Sequence, residues 1–285
     1  KIAMPRQLYQ NTYAKTTKAS IQFWQIFRSN KGQIMRLIGE HISKQFDQDL
    51  QNLLTLFLRM GGMAEQNLIN ALQALSTHNR ELAESVVKSD RMLNANEKQL
   101  DEDVVTILAR RQPVATDLRL IMALSKASTD IERIGDEAKR VAKLARHSYQ
   151  SEQIPIGYPE AEVMGKFVQT MLKHALEAFA TFEVDHAYQV VEQAQQIDSL
   201  YKSASRALMT YVMEDPRQVS QVVDGLWVLR ALERSAAHAL NVAEQLIFCI
   251  TGEDVRYPKS TPDMVTLGGD AQDITAASTD SDHDA

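Results

Sequence analysis

From about Glu40 onward, apolar residues recur every three to four positions: Phe46, Leu50, Leu53, Leu54, Phe57 and Leu58, then Met63, Leu68, Leu72 and Leu75. This spacing lines them up on one stripe of an α-helix. Gly61 and Gly62 fall inside the stripe, where the helix bends or a neighbour approaches closely. After a turn at Thr77, His78 and Asn79, a second helix carries Leu82, Val86, Val87, Leu93, Leu100, Val104, Ile107 and Leu108. It ends before Gln112-Pro113. Proline disfavours helix at the residue before it and is tolerated in the first turn after it, so a third helix starts at Ala115 or Thr116 and runs to about His147.

Pro155, Gly157 and Pro159 break the pattern, and residues 150–159 are predicted as a linker. Helices then run from about Glu160 to Phe182, from Val184 or Asp185 to Val212, and from about Val219 to Thr251, with Asp215-Pro216 at the second turn. Pro216 falls where Pro113 fell. The stretch from Leu118-Arg119 to Glu132-Arg133 likewise corresponds to one ending in Leu229-Arg230 and Glu233-Arg234. The chain therefore reads as an all-α protein built by duplicating a three-helix unit, with the halves at 40–149 and 160–257.

The flanks differ from this body. Residues 1–39 carry Lys1, Arg6, Lys15, Lys18, Arg28, Lys31 and Arg36 with no acidic residue. They read as a basic disordered arm, a transit-like segment, or sequence upstream of a start at Met35; the absence of an apolar core segment argues against a secretory signal. Residues 258–285 gather Asp270, Asp273, Asp280, Asp282 and Asp284 among small polar residues, and an acidic disordered tail is expected.

Composition narrows the function classes. The 285 residues are 44% hydrophobic and 24% charged, with only 11 Gly and 7 Pro, which suits long helices rather than many short strands. A single cysteine, Cys249, excludes an internal disulfide and a Cys-rich zinc cluster, and favours a reducing cytoplasmic setting. The net charge of -6 argues against nucleic-acid binding. No apolar run of membrane-spanning length is present, so direct insertion is not expected and a membrane role would pass through a protein partner.

The sharpest local feature is the run from Asp130 to Asp136 on the third helix. Glu132 and Asp136 are four residues apart and project from one face, where like charges repel by roughly a few tenths of a kcal/mol unless a cation lies between them. The second helix offers Asp90, Asn94, Glu97 and Asp101 at similar spacing, as in oxygen-rich metal sites of helical bundles. A solvated charged face explains the same spacing, with Lys126, Arg133, Lys139 and Arg140 as counter-ions. Gly135 would admit a close neighbouring backbone. Glu183 and His186 have the Glu-x-x-His spacing of dimetal carboxylate bundles, but the pair stands alone at a turn and reads as coincidence. His174 and His238 read as ordinary surface or boundary residues. No phosphate loop, Ser-His-Asp set or Cys-His pair is visible, so no catalytic residue is assigned.

The runs Ala109-Arg110-Arg111-Gln112-Pro113, Asp117-Leu118-Arg119 and Asp130 to Asp136 resemble the first half of the PhoU family, and the run from Leu208 to Arg217 resembles its second half. The resemblance spans about His41 to Tyr257. It implies two tandem three-helix bundles related by pseudo-twofold symmetry, each able to hold metal (iron, zinc, manganese or magnesium) on a Glu/Asp-x-x-x-Asp motif. It also implies a homodimeric, cytoplasmic negative regulator of phosphate uptake and of the phosphate regulon. Such a protein would bridge PstB, the ATPase of the phosphate transporter, and the sensor kinase PhoR. By the same resemblance Glu132 and Asp136 fill the first motif, with Asp90 the foremost contribution from the second helix and Asn94 and Glu97 nearby. In the second half Ala237 stands where the motif has Asp, and Ala194 corresponds to Asp90, leaving Glu233 and Asp198. One competent site and one weakened or absent site are expected. A carboxylate metalloenzyme and a purely structural helical protein are the competing readings.

Overall fold

The computed structural model describes residues 44–147 and 156–255. The basic head, most of the linker and the acidic tail lie outside the described residues, as do the expectations attached to them. Among the described residues six long helices follow in order: α1 Lys44–Thr77, α2 Arg80–Arg111, α3 Ala115–His147, α4 Tyr158–Thr181, α5 Val184–Glu214 and α6 Val219–Thr251, with a short 3-10 turn at Pro216–Gln218 before α6. Among the described residues there is no strand.

Local chemistry sets the ends. The Asn79 side chain accepts the Leu82 N–H at 2.9 Å and caps α2, a contact that typically contributes about 1 kcal/mol. Gln112 closes α2 in the left-handed conformation, its N–H donating to the Leu108 carbonyl. Asp215 accepts the Arg217 N–H at 3.1 Å and caps the 3-10 turn that Pro216 opens. Two boundaries depart from the sequence reading. α4 begins at Tyr158, ahead of Glu160, because Pro159 sits in the first helical turn, where its missing N–H costs nothing. α5 continues past Val212 to Glu214, where Asp215 ends it.

α2 packs on α1 and α3, and α5 on α4 and α6. Between them α3 packs against α6 and α1 against α4, so the two three-helix halves share a continuous seam. The outer α2 buries a single stripe, including Val86, Leu93, Leu100 and Ile107, whereas the inner α1 and α6 are buried around more of their circumference. Phe57 of α1 and Phe179 of α4 meet across the seam with ring centroids 4.7 Å apart. Polar contacts between α3 and α6 include Arg119 to the Cys249 carbonyl, Asp130 to Asn241, and Glu137 to Arg234. As the first number rises the second falls, so the two helices are antiparallel. The Cys249 thiol is buried, and burial pushes it up to about 11, which keeps it inert. Among the described residues no helix is long and apolar enough to cross a membrane.

Candidate metal centre

Gly135 determines how close α2 comes to α3. A β-carbon there would collide with the Leu93 side chain of α2, so it is a side chain, not the expected backbone, that uses the space. This close approach brings Asp90, three residues before Leu93, against the Glu132–Asp136 face. Asp90 is only 2% exposed. Its Oδ2 accepts a 2.7 Å ion pair from Lys139 Nζ, while its buried Oδ1 has no partner. Lys139 Nζ also lies 3.4 Å from Asp136 Oδ1. The more exposed Arg133 stands 3.6 Å from Asp136 and 3.8 Å from Glu132.

The cluster is more negative than its counter-ions balance. Glu132 is held above the usual carboxylate range, first by burial and then by repulsion from Asp136 and Glu97. Glu97 is raised by burial too, against a hydrogen bond with Thr129. Lys139 is raised chiefly by its hydrogen bond to Asp90. The fold thus places Asp90, Glu97, Glu132 and Asp136 in one electrostatic neighbourhood. Asn94 and Asp101 lie on the exposed face of α2, although Asp101 is near enough to add to the repulsion on Glu97.

Hard oxygen donors, one of them buried and unpartnered, suit a hard divalent cation in donor type. As arranged, however, no three His, Cys, Asp or Glu side chains among the described residues come close enough together to hold a metal ion. Lys139, foreseen only as one of several counter-ions, is the group that reaches both Asp90 and Asp136. Its role depends on the rotation of α2 against α3, which helical spacing does not encode.

Among the described residues the second half has no matching cluster. Glu233 pairs with Arg230 at 2.8 Å, and Asp198, with 68% of its side chain exposed, pairs with Lys202 at 2.6 Å. Each is held by a cation of its own helix. His238 departs from the sequence reading: its Nδ1 lies 2.8 Å from Asp130 Oδ1, and the Asn241 amide donates to the same oxygen at 2.9 Å. It is therefore a polar contact of the α3–α6 seam. Beside it the buried Glu137 carboxylate is held between Arg140 at 2.9 Å and Arg234 at 3.1 Å. Glu183 and His186 are 3.4 Å apart at the start of α5, and the His186 ring lies 6.3 Å from that of His174.

Two apolar stripes escaped the sequence reading because each merges with the core pattern of its helix. Leu118 and Met122 at the start of α3, with Val114 just ahead of it, and Val219, Val223 and Trp227 at the start of α6, recur every four residues and remain exposed. Trp227 is 52% exposed. Since α3 and α6 are antiparallel, the stripes face opposite ends of the bundle, on the order of 40 Å apart along helices of this length.

The comparisons with known proteins agree on one family. The PhoU domain model matches residues 57–145 and 162–246, one match in each half. A phosphate-specific transport system accessory protein PhoU homolog of Pseudomonas aeruginosa is 45% identical over 220 residues, covering 77% of this chain and 91% of the relative. The PhoU accessory protein of Escherichia coli is 35% identical over 245 residues, covering 86% and 98%. The crystal structure of PhoU from Pseudomonas aeruginosa superposes with a TM-score of 0.71 at 43% identity, covering 73% of this chain and all of that one. The phosphate transport system regulatory protein PhoU of Streptococcus pneumoniae gives 0.67 at 28% identity, covering 74% and 99%. With both halves matched by the family model and relatives aligned over nearly their whole length, this chain belongs to the PhoU family.

Proposed function

We propose that this protein is a non-catalytic, cytoplasmic accessory protein of a phosphate transport system that restrains phosphate uptake and the phosphate regulon. It would do so by engaging the transporter ATPase PstB and the sensor kinase PhoR. The observation that carries the bridging is the pair of exposed apolar stripes at corresponding ends of the two halves. Clustered exposed apolar side chains at helical spacing suit protein partners, and stripes at opposite ends allow two partners at once. The names of the relatives supply the transport system.

Within this reading the first-half cluster holds a metal, of which iron, zinc, manganese and magnesium are the candidates, on Glu132, Asp136 and Asp90 with Glu97 alongside. A bound cation supplies positive charge that fixes α2 against α3. The chain's own residues position the carboxylates and exclude water from Asp90. The weakened counterpart at Glu233 and Asp198 is expected to stay without metal, because Ala237 and Ala194 offer no oxygen.

The test is a pull-down of the full chain against PstB and the cytoplasmic part of PhoR, with and without a chelator, alongside metal analysis of the Glu132→Ala/Asp136→Ala variant. Capture of both partners, and loss of metal from a variant that stays folded, support the reading. Capture of neither under any metal condition removes the adaptor role, and unchanged metal stoichiometry removes these two residues from the site.

A further inference from the structure

We propose that Lys139 is the resident cation of the first-half carboxylate cluster, and that a divalent metal binds there only by displacing its ammonium group. This inference rests on the metal reading of the cluster given above.

Lys139 lies one turn beyond Asp136 on α3, and its ammonium reaches both a carboxylate of its own helix, at 3.4 Å, and the buried Asp90 of α2, at 2.7 Å. A lysine ammonium is a compact point charge, and here it stands between carboxylates of two helices, as a metal ion would. Arg133 does not compete for this role, because its contacts are longer and its side chain is half exposed. The substitute is incomplete. The ammonium meets Asp90 Oδ2 and leaves the buried Oδ1 without a partner, whereas a hard divalent ion gathers several oxygen ligands and would engage it. Among the described residues no three carboxylates converge, and the ammonium is the cation that bridges Asp90 and Asp136. Removing its charge would leave Asp90 buried and unpaired, a state that favours any cation able to replace it.

Two consequences follow from one geometry. The metal-free protein is held together at the α2–α3 contact by Lys139, so its folding does not depend on metal. Metal affinity is lowered by competition with a tethered ammonium, so the site fills only when metal is plentiful.

The experiment is calorimetric titration of the full chain with Mn²⁺, using wild type, Lys139→Gln, Lys139→Arg and Glu132→Ala/Asp136→Ala. Lys139→Gln should bind Mn²⁺ at least tenfold more tightly than wild type, whereas Lys139→Arg, which keeps the charge, should stay near wild type. The melting temperature of Lys139→Gln should be lower without metal and rise further with Mn²⁺ than that of wild type. Equal or weaker binding by Lys139→Gln overturns the proposal. If wild type and Lys139→Gln bind equally and the double alanine variant does not bind, the competition falls and the metal reading stands; if none binds, both fall. Should Lys139→Gln not fold, wild type decides through the acetylation rate of Lys139 by acetic anhydride, read by mass spectrometry. The rate should rise with Mn²⁺ as the ammonium is released, and an unchanged rate overturns the proposal.

Discussion

Leu176 of α4 occupies the space that a side chain at Gly61 of α1 would need. Leu72 of α1 does the same at Gly165 of α4, and the sequence separation from Gly61 to Gly165 equals that from Leu72 to Leu176. The two halves thus exchange the same knob and gap across their seam, which is the pseudo-twofold relation expressed in side chains. Such close approach is the reason for glycine in the middle of two long helices, where it otherwise costs about 1 kcal/mol relative to alanine.

Gly61→Val should therefore destabilise the protein by about 1–3 kcal/mol through overpacking. Leu176→Ala in the same chain should recover part of the loss, because it removes the atoms that collide. Denaturant unfolding of the single and double variants measures this, and strict additivity would show that the two positions do not share the space.

Glu65 of α1 makes stability pH-dependent. It is buried, its Oε2 has no partner, and burial pushes its carboxyl from 4.5 up to about 7, with Lys173 opposing and Glu177 adding to the rise. A raised carboxyl binds its proton more tightly in the folded state than in the unfolded one. Its contribution is therefore fully present below about pH 4.5 and is lost as pH rises through about 7. Glu65→Gln should lack this decline, gaining about 2–3 kcal/mol on wild type between the two ends of the window. Parallel unfolding curves for the two proteins across that range would disprove the assignment.

His238 and Asp130 should be energetically coupled across the α3–α6 seam. His238→Ala leaves Asp130 with only its Asn241 partner there and should cost about 1–3 kcal/mol. In a double-mutant cycle with Asp130→Asn, a coupling above about 0.5 kcal/mol is expected. A value near zero would return His238 to the role of an ordinary boundary residue.

The exposed stripes should separate binding from folding. Leu118→Glu and Trp227→Glu change side chains that already face water, so each should alter stability by less than about 0.5 kcal/mol. Each should abolish capture of a different partner in the pull-down. Loss of both partners from either variant would indicate one shared surface.

Much of the fold was legible before any coordinates. The three-to-four spacing from Phe46 to Leu75 gave α1, and Pro113 and Pro216 marked equivalent turns of a duplicated unit. The carboxylates Glu132 and Asp136 were legible as neighbours because a helix fixes the geometry of residues four apart. The start of α4 at Tyr158 was not, because a proline reads equally as a breaker and as a first-turn residue.

By itself the sequence determined what depends on local period and covalent constraint: six helices, their turns, the repeat, and which carboxylates share a face. Only the tertiary structure decided which faces meet. That Lys139 reaches Asp90, that His238 holds Asp130, and that Leu176 fills the gap at Gly61 all depend on how one helix is rotated and shifted against another. That arrangement follows from packing many side chains at once, and no spacing within a single helix records it.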